Sequence, residues 1–229
     1  MSISVKWYGH GTYGLNVGDH KIIVDPFFAP NNPVAPVTAD EVEADFILQT
    51  HGHGDHISDT MALATRTGAL VISNFEICNW LNAQGHENTH GMNYGGGYAF
   101  DFGRVEMTLA LHSSGLPDGA YGGNPGGFLV HAEDRWVYFA GDTAVFSDMK
   151  LIGEVGIDVA VLPIGDNFTM NAQSSLRAIE FLQPKVVIPG HYDTWPLVAQ
   201  DVVAWEKDVR AKTDAEPVVL AVGESYTLS

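Results

Sequence analysis

The sequence predicts an α/β fold in which two mixed sheets pack face to face and carry their helices on the outer faces. Three observations predict it. Short strands with tight turns open the chain, strand–helix units close it, and each half interleaves helices among its strands. At 229 residues, 45% of them hydrophobic, the chain can enclose a full core as one domain over residues 1–229.

The elements follow in order. Residues 3–8, 13–17 and 20–25 read as strands, with Gly18-Asp19 turning between the last two. A proline-rich loop over 26–36 leads to the apolar strand 46–50, which ends at a cluster of histidines. Residues 57–67 have helical character and stop at Gly68, 69–73 form a short buried strand, and 74–84 a helix capped by Asn74. The glycine-rich stretch 91–97 reads as a loop before strands 98–102 and 104–111. A second strand pair, 127–131 and 136–140, surrounds the turn at Glu133-Asp134. Strand 158–162, helix 172–182, strand 185–189, helix 201–212 and strands 218–222 and 225–228 complete the chain.

The bulk composition narrows function. The net charge is −17, from 28 acidic and 11 basic residues, which repels phosphate polymers and argues against nucleic-acid binding. No run approaches the roughly 18 apolar residues of a membrane span. The amino-terminal MSISVKWYGH lacks the basic-then-apolar order of a signal peptide, and the single Cys78 excludes an internal disulfide. These features fit a cytoplasmic protein with a small-molecule substrate.

The chemistry gathers at strand ends. His51 follows FILQT, His112 follows VEMTLAL, Asp142 follows WVYFAG and His191 follows KVVIPG. Loops leaving one edge of a sheet converge on a single crevice, so four strands deliver metal-binding side chains to one place. In THGHGDH, His51 and His53 share a side by the period of two, while Asp55 and His56 enter the next helix and diverge. One loop thus offers two pairs of ligands aimed at adjacent positions. Imidazole and carboxylate donors suit zinc, manganese, iron or nickel.

HGHGDH resembles the HxHxDH signature of the metallo-β-lactamase superfamily. Along the chain GHGTYGL, VDPF, THGHGDHISD, LHSSG, AGDTAVFSDMKLIGE, LPIGDNFTM and IPGHYDTWP are similar, in order, to its metal-dependent hydrolase branch close to L-ascorbate-6-phosphate lactonase. The resemblance implies a four-layer αβ/βα sandwich with two divalent metal ions between the sheet edges. It implies that His51, His53 and His112 bind one metal, that Asp55, His56 and His191 bind the other, and that Asp142 bridges them. Asp25 would orient a metal-bound histidine, and His10 would lie near the site. Gly11 stands where serine is more usual, and MNAQSS replaces a glycine-proline-acid sequence.

The activity implied is metal-dependent hydrolysis of a small lactone, ester or phosphate-bearing substrate. Two metals would activate a hydroxide, and Asp55 and Asp142 would act catalytically beside them. Phosphodiesterase or nuclease-type hydrolysis and a non-catalytic metal-binding scaffold are the alternatives. Histidine at position 53 separates the chain from redox relatives that carry glutamate there. A homo-oligomer accords with related lactonase-like proteins.

Other polar residues weigh less. Asp166 and Asn167 in GDNFTM lie on the same strand edge and are read as pocket residues, while Ser113 and Ser114 either touch substrate or cap a turn. Asp193 is read as a partner of His191 or as a turn residue. His20 and His131 read as surface side chains, His86 and His90 as loop residues, and Cys78 as packing.

Overall fold

The structure, a computed structural model, describes residues 2–228. The first half forms β1 (Ile3–Trp7), β2 (Tyr13–Val17), β3 (His20–Val24), β4 (Phe46–Leu48), β5 (Leu70–Asn74) and β6 (Thr89–Met92). Its helices are α1 (Gly54–Ile57), α2 (Thr60–Thr67) and α3 (Phe75–Ala83). The second half forms β7 (Gly97–Phe100), β8 (Gly103–Leu109), β9 (Gly126–Ala132), β10 (Arg135–Phe139), β11 (Val159–Pro163), β12 (Val186–Gly190) and β13 (Glu216–Pro217). Helices α4 (Met149–Gly153), α5 (Ala172–Leu182) and α6 (Val202–Lys212) accompany it, and β14 (Ser225–Leu228) returns to the first sheet.

Two 7-stranded sheets result, ordered β14-β1-β2-β3-β4-β5-β6 and β13-β12-β11-β10-β9-β8-β7. Each is mixed in the same way. The first is antiparallel from β14 to β3 and parallel from β3 to β6. The second is parallel from β13 to β10 and antiparallel from there to β7. The inner parallel strands β4, β5, β11 and β12 run as largely apolar segments because both of their faces are covered.

Side-chain alternation shows what covers them. Ile22, Val24, Leu48 and Ile72 join the core shared with Phe128, Val130 and Phe139 of the second sheet. Their neighbours Ile23, Ile47 and Val71 point the other way, against Leu63, Ala64, Ile77 and Leu81 of α2 and α3. On the far side, α5 and α6 bury Leu176, Ile179, Trp205 and Val209. This is the αβ/βα sandwich, set by the period of two along each strand.

Helix starts are specified locally. Asn74 accepts from Ile77 N at 2.8 Å, Asn171 from Ser174 N at 2.7 Å and Asp201 from Ala204 N at 2.9 Å. Such caps contribute about 1 kcal/mol each. The unusual MNAQSS sequence therefore supplies the cap of α5. Among the described residues no helix is long and apolar enough to cross a membrane.

Four expectations change in detail. The helix expected over 57–67 is two, because the chain breaks at Ser58-Asp59, where Asp59 Oδ2 accepts from Phe28 N at 2.6 Å. The glycine-rich loop shrinks to 93–96, since Thr89–Met92 pairs with β5 and Gly97–Phe100 with β8. No strand forms over 218–222. Val218 N still bonds Val187 O at 2.9 Å, but Gly223 N bonds Trp7 O at 2.7 Å, so this apolar run crosses from one sheet to the other. Finally, α4 adds a short helix where none was expected.

Cys78 is buried in α3, and burial pushes its thiol up to about 11, in keeping with a packing role. At the other end of the second sheet Asp158 accepts from Lys185 Nζ at 2.8 Å, Trp136 N at 2.8 Å and Arg135 Nη1 at 3.2 Å. Burial works to raise its pKa, but the Lys185 bond and the other donors hold it below the ordinary value. The depressed carboxylate stabilises the fold above its unfolded pKa, and that contribution disappears as pH falls through the lowered folded value. Asp158→Asn is expected to lose stability at neutral pH and to show a shallower loss below about pH 4, read by urea unfolding at each pH.

Candidate metal centre

Every candidate donor sits beyond a strand end on one edge of the sandwich. His10 follows β1, Asp25 follows β3, His51, His53, Asp55 and His56 follow β4, His112 follows β8, Asp142 follows β10 and His191 follows β12. Three of them adopt positive φ: His10 at 54°, Asp25 at 49° and His191 at 55°. Such conformations are costly for residues with a Cβ, and they persist where surrounding bonds over-determine them. Here His10 O accepts from both Trp7 Nε1 at 2.9 Å and His191 N at 3.0 Å, tying two of the strained residues together across the sheets.

The donors form two groups, linked by a third set in which Asp25 meets His51 and His56. His53 Nδ1 lies 3.1 Å from His51 Nε2 and 3.2 Å from His112 Nε2, so three ring nitrogens converge. The second group comprises His10, Asp55, His56 and His191. Between them stands Asp142, whose Oδ2 lies 3.0 Å from His191 Nε2, 3.4 Å from His56 Nε2 and 3.6 Å from His112 Nε2. One carboxylate oxygen thus faces nitrogens of both groups.

Outer bonds decide which nitrogen faces inward. His56 Nδ1 lies 2.8 Å from Asp25 Oδ2, leaving Nε2 for Asp142. His51 Nδ1 is 2.9 Å from Thr50 Oγ1, leaving its Nε2 inward. Asp25 itself accepts from Thr50 N at 2.7 Å, Thr50 Oγ1 at 2.6 Å and Gln49 Nε2 at 3.1 Å. Gln49 is held in turn by Thr60 Oγ1, which donates to its Oε1 at 2.6 Å. His10 lies between Thr194 Oγ1, 2.8 Å from Nδ1, and Asp55 Oδ2, 3.1 Å from Nε2.

Electrostatics prepare the same arrangement. Burial pushes His10 down to about 4 and also lowers His51, His53 and His112, so these imidazoles are neutral near pH 7. Burial would raise Asp142, yet His191 and His56 hold its carboxyl well below the usual range. Asp55 is likewise kept low against burial by the bond from His10. His56 is the exception: against burial, Asp142 and Asp25 raise it well above the ordinary value, so a divalent cation would displace its proton, whereas His51, His53, His112 and the ionised carboxylates already stand in the states that bind one.

Gly11 gains a reason here. A Cβ at that position would stand 2.6 Å from His56 Cε1, so the ring occupies the space that a serine side chain would need. Glycine lets the β1–β2 loop close directly over His56.

Asp166 and Asn167 stay outside both groups. They are exposed in a tight loop at positive φ (61° and 42°), where Asp166 Oδ1 accepts from Asn167 N at 2.9 Å. Asp193 serves a turn, accepting from Gln200 N at 2.8 Å. Ser113 Oγ lies 3.2 Å from His53 Nε2, whereas Ser114 Oγ accepts from Gly52 N at 3.0 Å and fixes the histidine loop. His86 is buried and bonded to backbone carbonyls, and His131 stacks on Trp136. Sequence reasoning missed Gln49, Thr60 and Thr194. For the first two, the only signal was the adjacency of Gln49-Thr50 to His51 and of Thr60 to the motif's helix.

Comparison with known proteins gives the arrangement its context. Residues 20–192 match the family model described as the beta-lactamase superfamily domain. The chain belongs to the beta-lactamase superfamily. Among its relatives in the superfamily are UPF0173 metal-dependent hydrolases. One from Heliobacterium modesticaldum is 44% identical, over 99% of this chain and 98% of its own length. One from Shouchella clausii is 46% identical, over 99% of this chain and 100% of its own. The structure of a metallo hydrolase from the archaeon Ignicoccus hospitalis superposes with a TM-score of 0.91 at 32% identity, covering 100% of this chain and 99% of its own.

The chain is therefore a metal-dependent hydrolase of the beta-lactamase superfamily. Its donors fit a metal on their own terms. His56 Nε2 and both ring nitrogens of His191 are buried without a hydrogen-bond partner, though Asp142 stands close to two of them. Buried polar atoms are nearly always satisfied, and a cation coordinated between these groups would satisfy the two Nε2 atoms beside Asp142.

Proposed function

We propose that the chain hydrolyses a small lactone, ester or phosphate-bearing molecule at a dinuclear centre. His51, His53 and His112 would hold one divalent ion, Asp55, His56 and His191 the other, and Asp142 would bridge them. The observation that carries this reading is the position of Asp142 Oδ2, within 3.6 Å of nitrogens from both groups. Zinc or manganese suits these donors first, with iron or nickel also compatible.

Bound metals would supply an activated water and charge stabilisation for the oxyanion that develops at the substrate. The chain's own residues do the rest. Asp25 fixes the His56 ring through Nδ1, and Thr50 does the same for His51. His10 engages Asp55 Oδ2, and the same oxygen lies 3.9 Å from His191 Nε2, so this partly exposed carboxylate borders the second group. Asp55 would accept a proton next to the reacting group, and no serine or cysteine nucleophile is needed. Residues 1–229 would act as one catalytic unit in the cytoplasm, where a lone unpaired cysteine is at home.

Metal analysis of the purified protein tests the reading, followed by stripping with a chelator and assay on lactones, esters and phosphodiesters. Activity is expected to vanish on stripping and to return with zinc or manganese at about two ions per chain. Full turnover by metal-free protein would overturn it.

A further inference from the structure

The loops that surround the metal centre contain no lysine and no arginine. Residues 9–12, 25–36, 49–59, 110–125, 140–148, 164–171 and 190–201 hold none of the chain's 11 basic side chains. Arg135 and Lys185, for example, lie at the opposite ends of their strands, with Asp158. The same loops carry Asp118, Asp148, Asp166 and Asp193. Recognition of a remote phosphate or carboxylate normally rests on arginine or lysine, and here such a group would meet no basic side chain from these loops but several carboxylates.

Apolar side chains stand there instead. Leu111, 48% exposed, directly precedes His112. Its N–H donates to Thr143 Oγ1 at 3.0 Å and its carbonyl accepts from Ala144 N at 3.1 Å, next to Asp142. Phe168, 54% exposed, tops the loop that leaves β11 beside His191 and returns where Met170 N bonds Thr143 O at 3.0 Å. Trp195, 37% exposed, packs edge-on against the His10 ring at 4.8 Å. A single exposed apolar residue needs no explanation, but here three large ones stand on loops anchored to the donors.

We infer that the substrate is uncharged outside the group being hydrolysed and turns an apolar or aromatic body towards Leu111, Phe168 and Trp195. The inference rests on the hydrolase reading above and narrows its substrate. Phosphate-bearing substrates become disfavoured unless the phosphorus is itself the reacting centre, where the metals would neutralise it. The −17 net charge acts in the same direction, since it repels anions before they reach the site.

Matched pairs of substrates test this with metal-loaded protein. Phenyl butyrate and phenyl hydrogen succinate differ by a terminal carboxylate on the acyl chain. Alkyl lactones with and without a side-chain phosphate, and phosphodiesters with neutral or carboxylated alcohols, complete the set. The neutral member is expected to have a kcat/KM about 100-fold higher, a gap within reach of a site that leaves a polar group unpaired. Trp195→Ala and Phe168→Ala are expected to raise KM for neutral substrates roughly 10-fold, with kcat and metal content little changed. Phe168→Arg, on an exposed loop, is expected to shift the preference at least about 10-fold towards the anionic members. Preference for the anionic members by the native protein, or no shift with Phe168→Arg, would overturn the inference while leaving the hydrolase reading intact. No turnover of any member by metal-loaded protein would overturn both.

Discussion

Asp142→Ala is expected to abolish metal-dependent turnover and lower metal affinity by more than about 100-fold, with the fold kept. Changing an outer partner of a ligand typically costs 10- to about 100-fold in affinity, and Asp142 faces the donor nitrogens themselves. Its Oδ2 lies within 3.6 Å of His56, His112 and His191 together, so its loss removes the negative charge on which both groups converge. The fold should survive because the neighbouring core residues Phe139 and Ala140 are untouched, and the side chain lies at the mouth between the sheets. Asp142→Asn sharpens the test. It preserves shape but not charge, so an effect as large as that of alanine shows that charge rather than packing is at stake. Metal content by mass spectrometry and far-ultraviolet circular dichroism read the two halves of the prediction. Retention of two metals with activity near that of the native chain would contradict the bridging role.

The sequence made this centre legible because its donors are punctuated by strand ends. His51, His112, Asp142 and His191 each follow an apolar run, and such runs fold into strands whose ends align at one edge. The helix capped by Asn74 is readable for a similar reason, since a cap is a local bond between near neighbours, whereas the caps at Asn171 and Asp201 emerge only in the structure. What escaped was set by distance along the chain. Thr194 meets His10 across 184 positions, and no periodicity announces such a bond. The strand Thr89–Met92 has little apolar content and forms because the edge of β5 offers it partners. The run 218–222 shows the reverse error: apolar enough for a strand, it is buried as a crossing between sheets. Gly11 departs from the more common pattern because the His56 ring fills the space beside it.

Asp25→Ala is expected to be the most destabilising single change near the centre. The buried carboxylate accepts three bonds from Gln49 and Thr50 and lies 2.8 Å from His56 Nδ1, so its removal takes a partner from four polar groups, of which Gln49 Nε2 keeps His51 O at 2.8 Å and Thr50 Oγ1 keeps His51 Nδ1 at 2.9 Å. Stranding the partners of a buried charge costs about 3–5 kcal/mol. Alanine adds a second cost, because residue 25 holds φ at 49°, which asparagine and aspartate tolerate better than alanine. For a chain of this size each kcal/mol lowers Tm by roughly 2–4 °C, so a fall of about 6–20 °C is expected in calorimetry. Asp25→Asn separates two roles of the same side chain. Asparagine keeps the backbone conformation and can still accept from Thr50, so most of the stability should remain. It removes the negative charge that steadies the His56 ring, so metal affinity should fall by 10- to about 100-fold. If Asp25→Asn lowers Tm as much as alanine does while binding metal normally, Asp25 is a structural brace alone. If it keeps Tm and loses metal, the three bonds from Gln49 and Thr50 exist to aim one carboxylate oxygen at one imidazole nitrogen.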